Sequence, residues 1–136
     1  MNKTEYLGAF SAEEGRIRIT LNMFGTEGCG LCGFLTGGDK SHTGGVVYAT
    51  PRPKSHGEGL TADVSTVCGY GHKDAYAAQG IAKRICTATG ESISITAGIH
   101  VDGADADELK LIGELVSRTA EDFLKAYGKG GGNRDS

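Results

Sequence analysis

Three of the four histidines in this 136-residue chain share a local setting. His42 stands in Gly-Gly-Asp-Lys-Ser-His-Thr-Gly, His72 in Gly-Tyr-Gly-His-Lys-Asp, and His100 in Ala-Gly-Ile-His-Val-Asp-Gly. Each follows a strand-like run and sits among glycines, so three titratable rings are expected at one edge of a sheet, where binding sites are commonly built. The loop from Gly37 to Gly45 carries glycines that leave backbone N–H groups open to an anion, and Lys40 and His42 add charge, a combination suited to phosphate. It is no Walker motif, because a strand follows it, and a plain hairpin loop is the alternative reading. His72 precedes Asp74, a candidate N-cap, and so lies near the positive end of a helix. His100 occupies the approach to a second helix.

The same residues suit other chemistry. Three imidazoles with Asp39 or Asp102 would offer zinc a site with one open position, and the protein would then be a small metal-dependent hydrolase or isomerase using His42, His72 and His100. No close-spaced ligand pair of the kind seen in strong metal motifs accompanies them. His56, in a polar loop, is expected to be solvated. The lone pair Cys29-Gly30-Leu31-Cys32 invites a redox or zinc reading. On a strand, residues three apart point to opposite faces, so the cysteines are expected to be structural, and all four cysteines to be small buried residues.

These residues need elements to position them. Ile17, Ile19 and Leu21 alternate with Arg18, Thr20 and Asn22, the period of a half-buried strand. Tyr6 to Phe10 is its expected partner across a turn at Ser11 to Gly15. Cys29 to Thr36 and Gly45 to Ala49 are predicted to pair as antiparallel neighbours. Pro51 and Pro53 are expected to end the latter strand and open a polar connection to the next, Ala62 to Cys68. From Asp74 to Thr89, Ala77, Ile81, Ile85 and Ala88 recur at helical spacing, and Gly90 is a plausible stop. Ser92 to Ile99 alternates as a strand. A last helix begins at Asp105, whose spacing to Glu108 is that of an acidic capping box, and it buries Leu109, Ile112, Val116, Ala120, Phe123 and Tyr127.

This order predicts one α+β domain over residues 1–127, a two-layer sandwich whose mostly antiparallel sheet of about six strands carries two helices on one face. The glycine-rich tail 128–136 is expected to be disordered. Simple reversals make the strands before His42, His72 and His100 run the same way, with a right-handed crossover through the first helix, which brings all three histidines to one rim. A formal charge of -3 with no basic stripe argues against nucleic acid. No apolar run approaches the roughly 18 residues of a membrane span, and a soluble, cytoplasmic protein is expected. A homodimer is plausible for a small two-layer domain.

The chain resembles the LpdD-like prenylated-flavin chaperone family, accessory subunits of gallate-type decarboxylases. The resemblance rests on the loop from Gly37 to Gly44, on Gly71-His72 before the first helix, and on Ala97-Gly98-Ile99-His100-Val101-Asp102 before the second. Ser41 and Thr43 replace the proline and aliphatic residue usual in the family's loop. The resemblance implies a protein that binds prenylated FMN, or FMN, and assists its delivery to a UbiD-like aromatic acid decarboxylase without itself catalysing decarboxylation. Its cofactor-binding candidates here are Gly37, Gly38, Asp39, Lys40, Ser41, His42, Gly44, Tyr70, His72, His100 and Asp102. Phe34, Tyr48 or Tyr70 would wall the flavin ring. A pure assembly factor with incidental histidines is a third reading.

Overall fold

A computed structural model describes residues 3–71 and 74–131, the last three of them by backbone alone. Strands β1 (Glu5–Glu14), β2 (Ile17–Gly25), β3 (Leu31–Gly38), β4 (Gly45–Pro53) and β5 (Leu60–Cys68) precede helix α1 (Asp74–Thr89), strand β6 (Ile93–His100) and helix α2 (Ala106–Gly131). The period-two pattern of β2 is realised residue by residue: Ile17, Ile19, Leu21 and Met23 are buried, while Arg18 and Phe24 are exposed. Ile93, Ile95 and Ala97 bury the same face of β6. Helix α1 covers the β4, β5 and β6 half of the sheet and α2 covers β1 and β2, with the two helices in contact. The predicted α+β sandwich is therefore the observed fold.

The sheet order is β1-β2-β3-β6-β4-β5, which corrects one expected pairing. Strands β3 and β4 are not neighbours, because β6 lies between them, parallel to β3 and antiparallel to β4. Its burial explains the choice: β6 alternates isoleucines and alanine with small polar residues and needs a ladder on both sides, which a central position supplies. The polarity argument survives the change, since β3 and β6 still run the same way.

Other boundaries moved for identifiable reasons. Ser11 to Glu14 belong to β1, and only Gly15 and Arg16 make the turn, Gly15 with φ of 59°. Pro51 and Pro53 lie within β4, paired with Ala62 and Leu60 of β5. Pairing to β6 ends at Ala49, so the missing proline donors fall on a side with no partner and cost no ladder bond. In α1 the buried stripe is Ala75, Ala78, Ile81, Ala82, Ile85 and Cys86, which leaves Ala77 and Ala88 exposed. Leu109 is also exposed, and Leu115 and Thr119 complete the buried face of α2. Gly90, at φ of 74°, ends α1 as expected and donates its N–H to Cys86 O. Helix α2 continues past Tyr127 to Gly131, while residues 132–136 lie outside the described residues.

Candidate functional site

Because β6 separates β3 from β4, the loop from Asp39 to Gly44 has to cross the C-terminal end of β6 to join them. The crossing is very close. A Cβ on Gly98 would collide with the His42 carbonyl, and one on Gly44 with the Asp74 carboxylate. Backbone bonds pin both ends of the loop: Asp39 N donates to His100 O at 2.6 Å and Gly44 N to Ala97 O at 2.9 Å. Glycine is therefore required at Gly98 for lack of space, and the sequence pattern Ala-Gly-Ile-His acquires a physical meaning.

The crossing loop places His42 against the start of α1. Its Nε2 lies 2.5 Å from Asp74 Oδ2 and its Nδ1 faces Lys40 O at 3.2 Å. Asp74 Oδ2 also accepts the Ile99 N–H, so this carboxylate, expected from the sequence to act as an N-cap, joins the loop, α1 and β6. His100 projects from the last position of β6, half exposed, with Nε2 2.6 Å from Asp102 Oδ1. Lys40, His42, Thr43, Gly71, Asp74 and His100 together line a cavity of about 530 Å³.

Behind His100 lies a network that the sequence did not reveal. Arg16, in the β1–β2 turn, donates from Nε and a terminal nitrogen to both oxygens of Glu108, and from that nitrogen to Asp102 O at 2.7 Å. Asp39 Oδ2 lies 3.7 Å from Arg16 and accepts the Asp102 N–H at 2.8 Å. The Arg16 hydrogen bond, aided by the Asp105 backbone N–H, holds the Glu108 carboxyl below its ordinary range, and Glu108 in turn raises the Arg16 guanidinium. Asp105 and Glu108 form the expected reciprocal capping box. A turn arginine 92 residues from its carboxylate partner carries no periodic signal, which is why it escaped a sequence reading.

The structure thus brings Lys40, His42 and His100 to one cavity, and adds Thr43, Gly71 and Asp74 to them. Gly37 and Gly38 are strand residues paired with Ile99 and His100, and Ser41 is exposed. Asp39 and Asp102 buttress the rim. Tyr70 is fully exposed, and Phe34 and Tyr48 stand on the uncovered face of the sheet, so none of the three aromatic residues expected to wall a ring lines this cavity. His72, which follows Gly71 in the sequence, lies outside the described residues. Among the described residues no three metal-ligating side chains stand together, and the metal-enzyme reading gains no support. No described helix is long and apolar enough to cross a membrane.

The cysteines also differ from expectation. Cys86 is buried, and desolvation pushes its thiol pKa up, but Cys68 is only partly buried and Cys29 and Cys32 are exposed. Cys29 belongs to the β2–β3 turn rather than to β3, so strand alternation does not separate the pair.

No curated protein matches the chain. The prenylated flavin chaperone LpdD-like domain matches it over residues 13–128, from the end of β1 to the last turns of α2, and so includes the crossing loop, the start of α1 and the end of β6. The chain belongs to the LpdD-like prenylated flavin chaperone domain family.

Proposed function

We propose that this protein holds prenylated FMN through its phosphate at the cavity beneath the crossing loop and assists its delivery to a UbiD-like aromatic acid decarboxylase. The observation that carries the reading is the convergence of Lys40, His42 and His100 on one cavity beside the N-terminal end of α1. Helix N-termini favour anions through their open N–H groups and dipole, and a lysine adds a full positive charge. Asp74 opposes an anion directly, but its oxygen is engaged by His42 and the Ile99 N–H, which spread that charge. A flavin anchored there extends its ring away from the cavity. The uncovered sheet face, with Phe34 and Val46 exposed on adjacent positions around Thr96, supplies the apolar surface it needs.

The family membership supports a flavin chaperone role. Delivery also requires contact with the acceptor, and the same bare sheet face is the large apolar patch on which a decarboxylase subunit, or a second copy of this chain, would dock over the bound ring. Titration of the purified protein with prenylated FMN, followed by absorbance and native mass, tests the reading. One cofactor per chain is expected. Lys40→Ala and His100→Ala should each weaken binding about 10- to 100-fold, the worth of one charge-assisted hydrogen bond, and His42→Ala should weaken it by leaving the Asp74 carboxylate without its imidazole partner. Absence of binding, or indifference to all three substitutions, overturns it. Addition of the loaded protein to an apo decarboxylase should restore activity faster than free cofactor does.

A further inference from the structure

We propose that Cys29 and Cys32 form a separate site for one soft monovalent cation, Cu(I), at the opposite end of β3 from the flavin cavity. Cys32 is the second residue of β3, exposed on the uncovered face and paired with Phe24 on one side and Ser94 on the other. Cys29 closes the β2–β3 turn, its N–H directed at Thr26 O at 3.4 Å. Cys29 and Cys32 both line one cavity of about 300 Å³ that also includes Phe24, Tyr48 and Ser92. The two cysteines are exposed and not joined by a disulfide.

The turn that presents them is held from several directions. Thr26 binds Gly30 O through both its N–H and its hydroxyl. Gly30 N donates to the buried carboxylate of Glu91, which also accepts the Tyr127 hydroxyl from α2, and Leu31 N donates to Ser92 O. Glu27 adopts φ of 57° and Gly28 φ of 92°, so the backbone bends sharply to end at Cys29. A backbone fixed this way holds Cys29 and Cys32 at the rim of the same cavity and leaves only their side-chain torsions to be set by a ligand.

The donor set selects the ion. Thiolates favour soft metals, and Cu(I) and Zn²⁺ are the common candidates. Zinc sites use three or four protein ligands, and among the described residues no cluster of three or more histidine, cysteine or acidic side chains exists. Two thiolates satisfy a monovalent d10 ion, which is stable at low coordination. Binding converts two thiols and Cu(I) into a bis-thiolate complex of net charge minus one, and two protons pass to solvent.

The test uses the full chain, reduced and kept anaerobic, titrated with Cu(I) against a chromophoric Cu(I) chelator. One ion per chain is expected. Cys29→Ser and Cys32→Ser should each weaken retention by more than the roughly 10- to 100-fold that outer-shell changes cost, with circular dichroism unchanged, whereas Cys68→Ser and His42→Ala should retain the ion normally. A parallel titration with Zn²⁺ should show much weaker retention. Failure to hold Cu(I) against the chelator, equal retention by both serine variants, or preference for Zn²⁺ overturns the proposal. Because the site shares no residue with the flavin cavity, its failure leaves the chaperone reading intact.

Discussion

At Gly98 the loop carrying His42 and strand β6 approach so closely that even one methyl group has no place. Gly98→Ala therefore forces the His42 carbonyl outward, and overpacking of this kind costs about 1–3 kcal/mol. Denaturant unfolding should show that loss, and flavin titration should show weaker binding even though no side chain of the cavity has changed. The charged residues nearby make different predictions. Asp74→Asn keeps a hydrogen-bonding oxygen for the Ile99 N–H while it removes a negative charge from the anion site, so phosphate affinity should rise rather than fall. Isothermal titration with FMN and with riboflavin, which lacks the phosphate, separates the two effects: the gain should appear for FMN alone.

At the scale of elements, α2 is fastened at both ends by different chemistry. Its N-terminus is capped by Asp105 and Glu108 and tied to the β1–β2 turn by Arg16. Glu108 has a folded-state pKa lowered by that contact, so its contribution to stability is complete above the ordinary carboxylate value and is lost as pH falls through the lowered one. In Arg16→Gln, thermal midpoints measured from neutral to acid pH should fall at neutral pH and decline less steeply in acid, since Glu108 then titrates closer to its unfolded value. Farther along, Phe123 packs edge-on to Phe10 with ring centroids 5.5 Å apart and stacks on Tyr127 at 5.0 Å. Phe123→Ala should cost about 3–5 kcal/mol in chemical denaturation, the usual toll for emptying a buried aromatic site.

For the whole molecule, alternation in β2 and β6 and the capping box of α2 made the α+β sandwich legible, because period and caps are local properties of the chain. Neighbour order is not local. Nothing between Gly37 and Gly45 announces that β6, some fifty residues later, will separate β3 from β4. His42 and His100 nevertheless converge as expected, since strand direction alone decides which edge they reach. Arg16 and the exposure of Cys29 and Cys32 were invisible for the same reason: each depends on which distant residues become neighbours. The final consequence of that order is a sheet with both helices on one side and Tyr6, Phe24, Phe34, Val46, Tyr48 and Val67 exposed on the other. Val67 is 68% exposed and sits on edge strand β5, opposite Val46. Val67→Glu should therefore shift the stability of the isolated chain by no more than about 0.5 kcal/mol, as surface changes do. An unpaired carboxylate buried beneath a docked subunit costs several times that. Light scattering for self-association, together with activation of an apo decarboxylase, reads the difference: association or activation should fail while the thermal midpoint holds. Normal behaviour in both measurements would mean that this end of the bare face is not the docking surface.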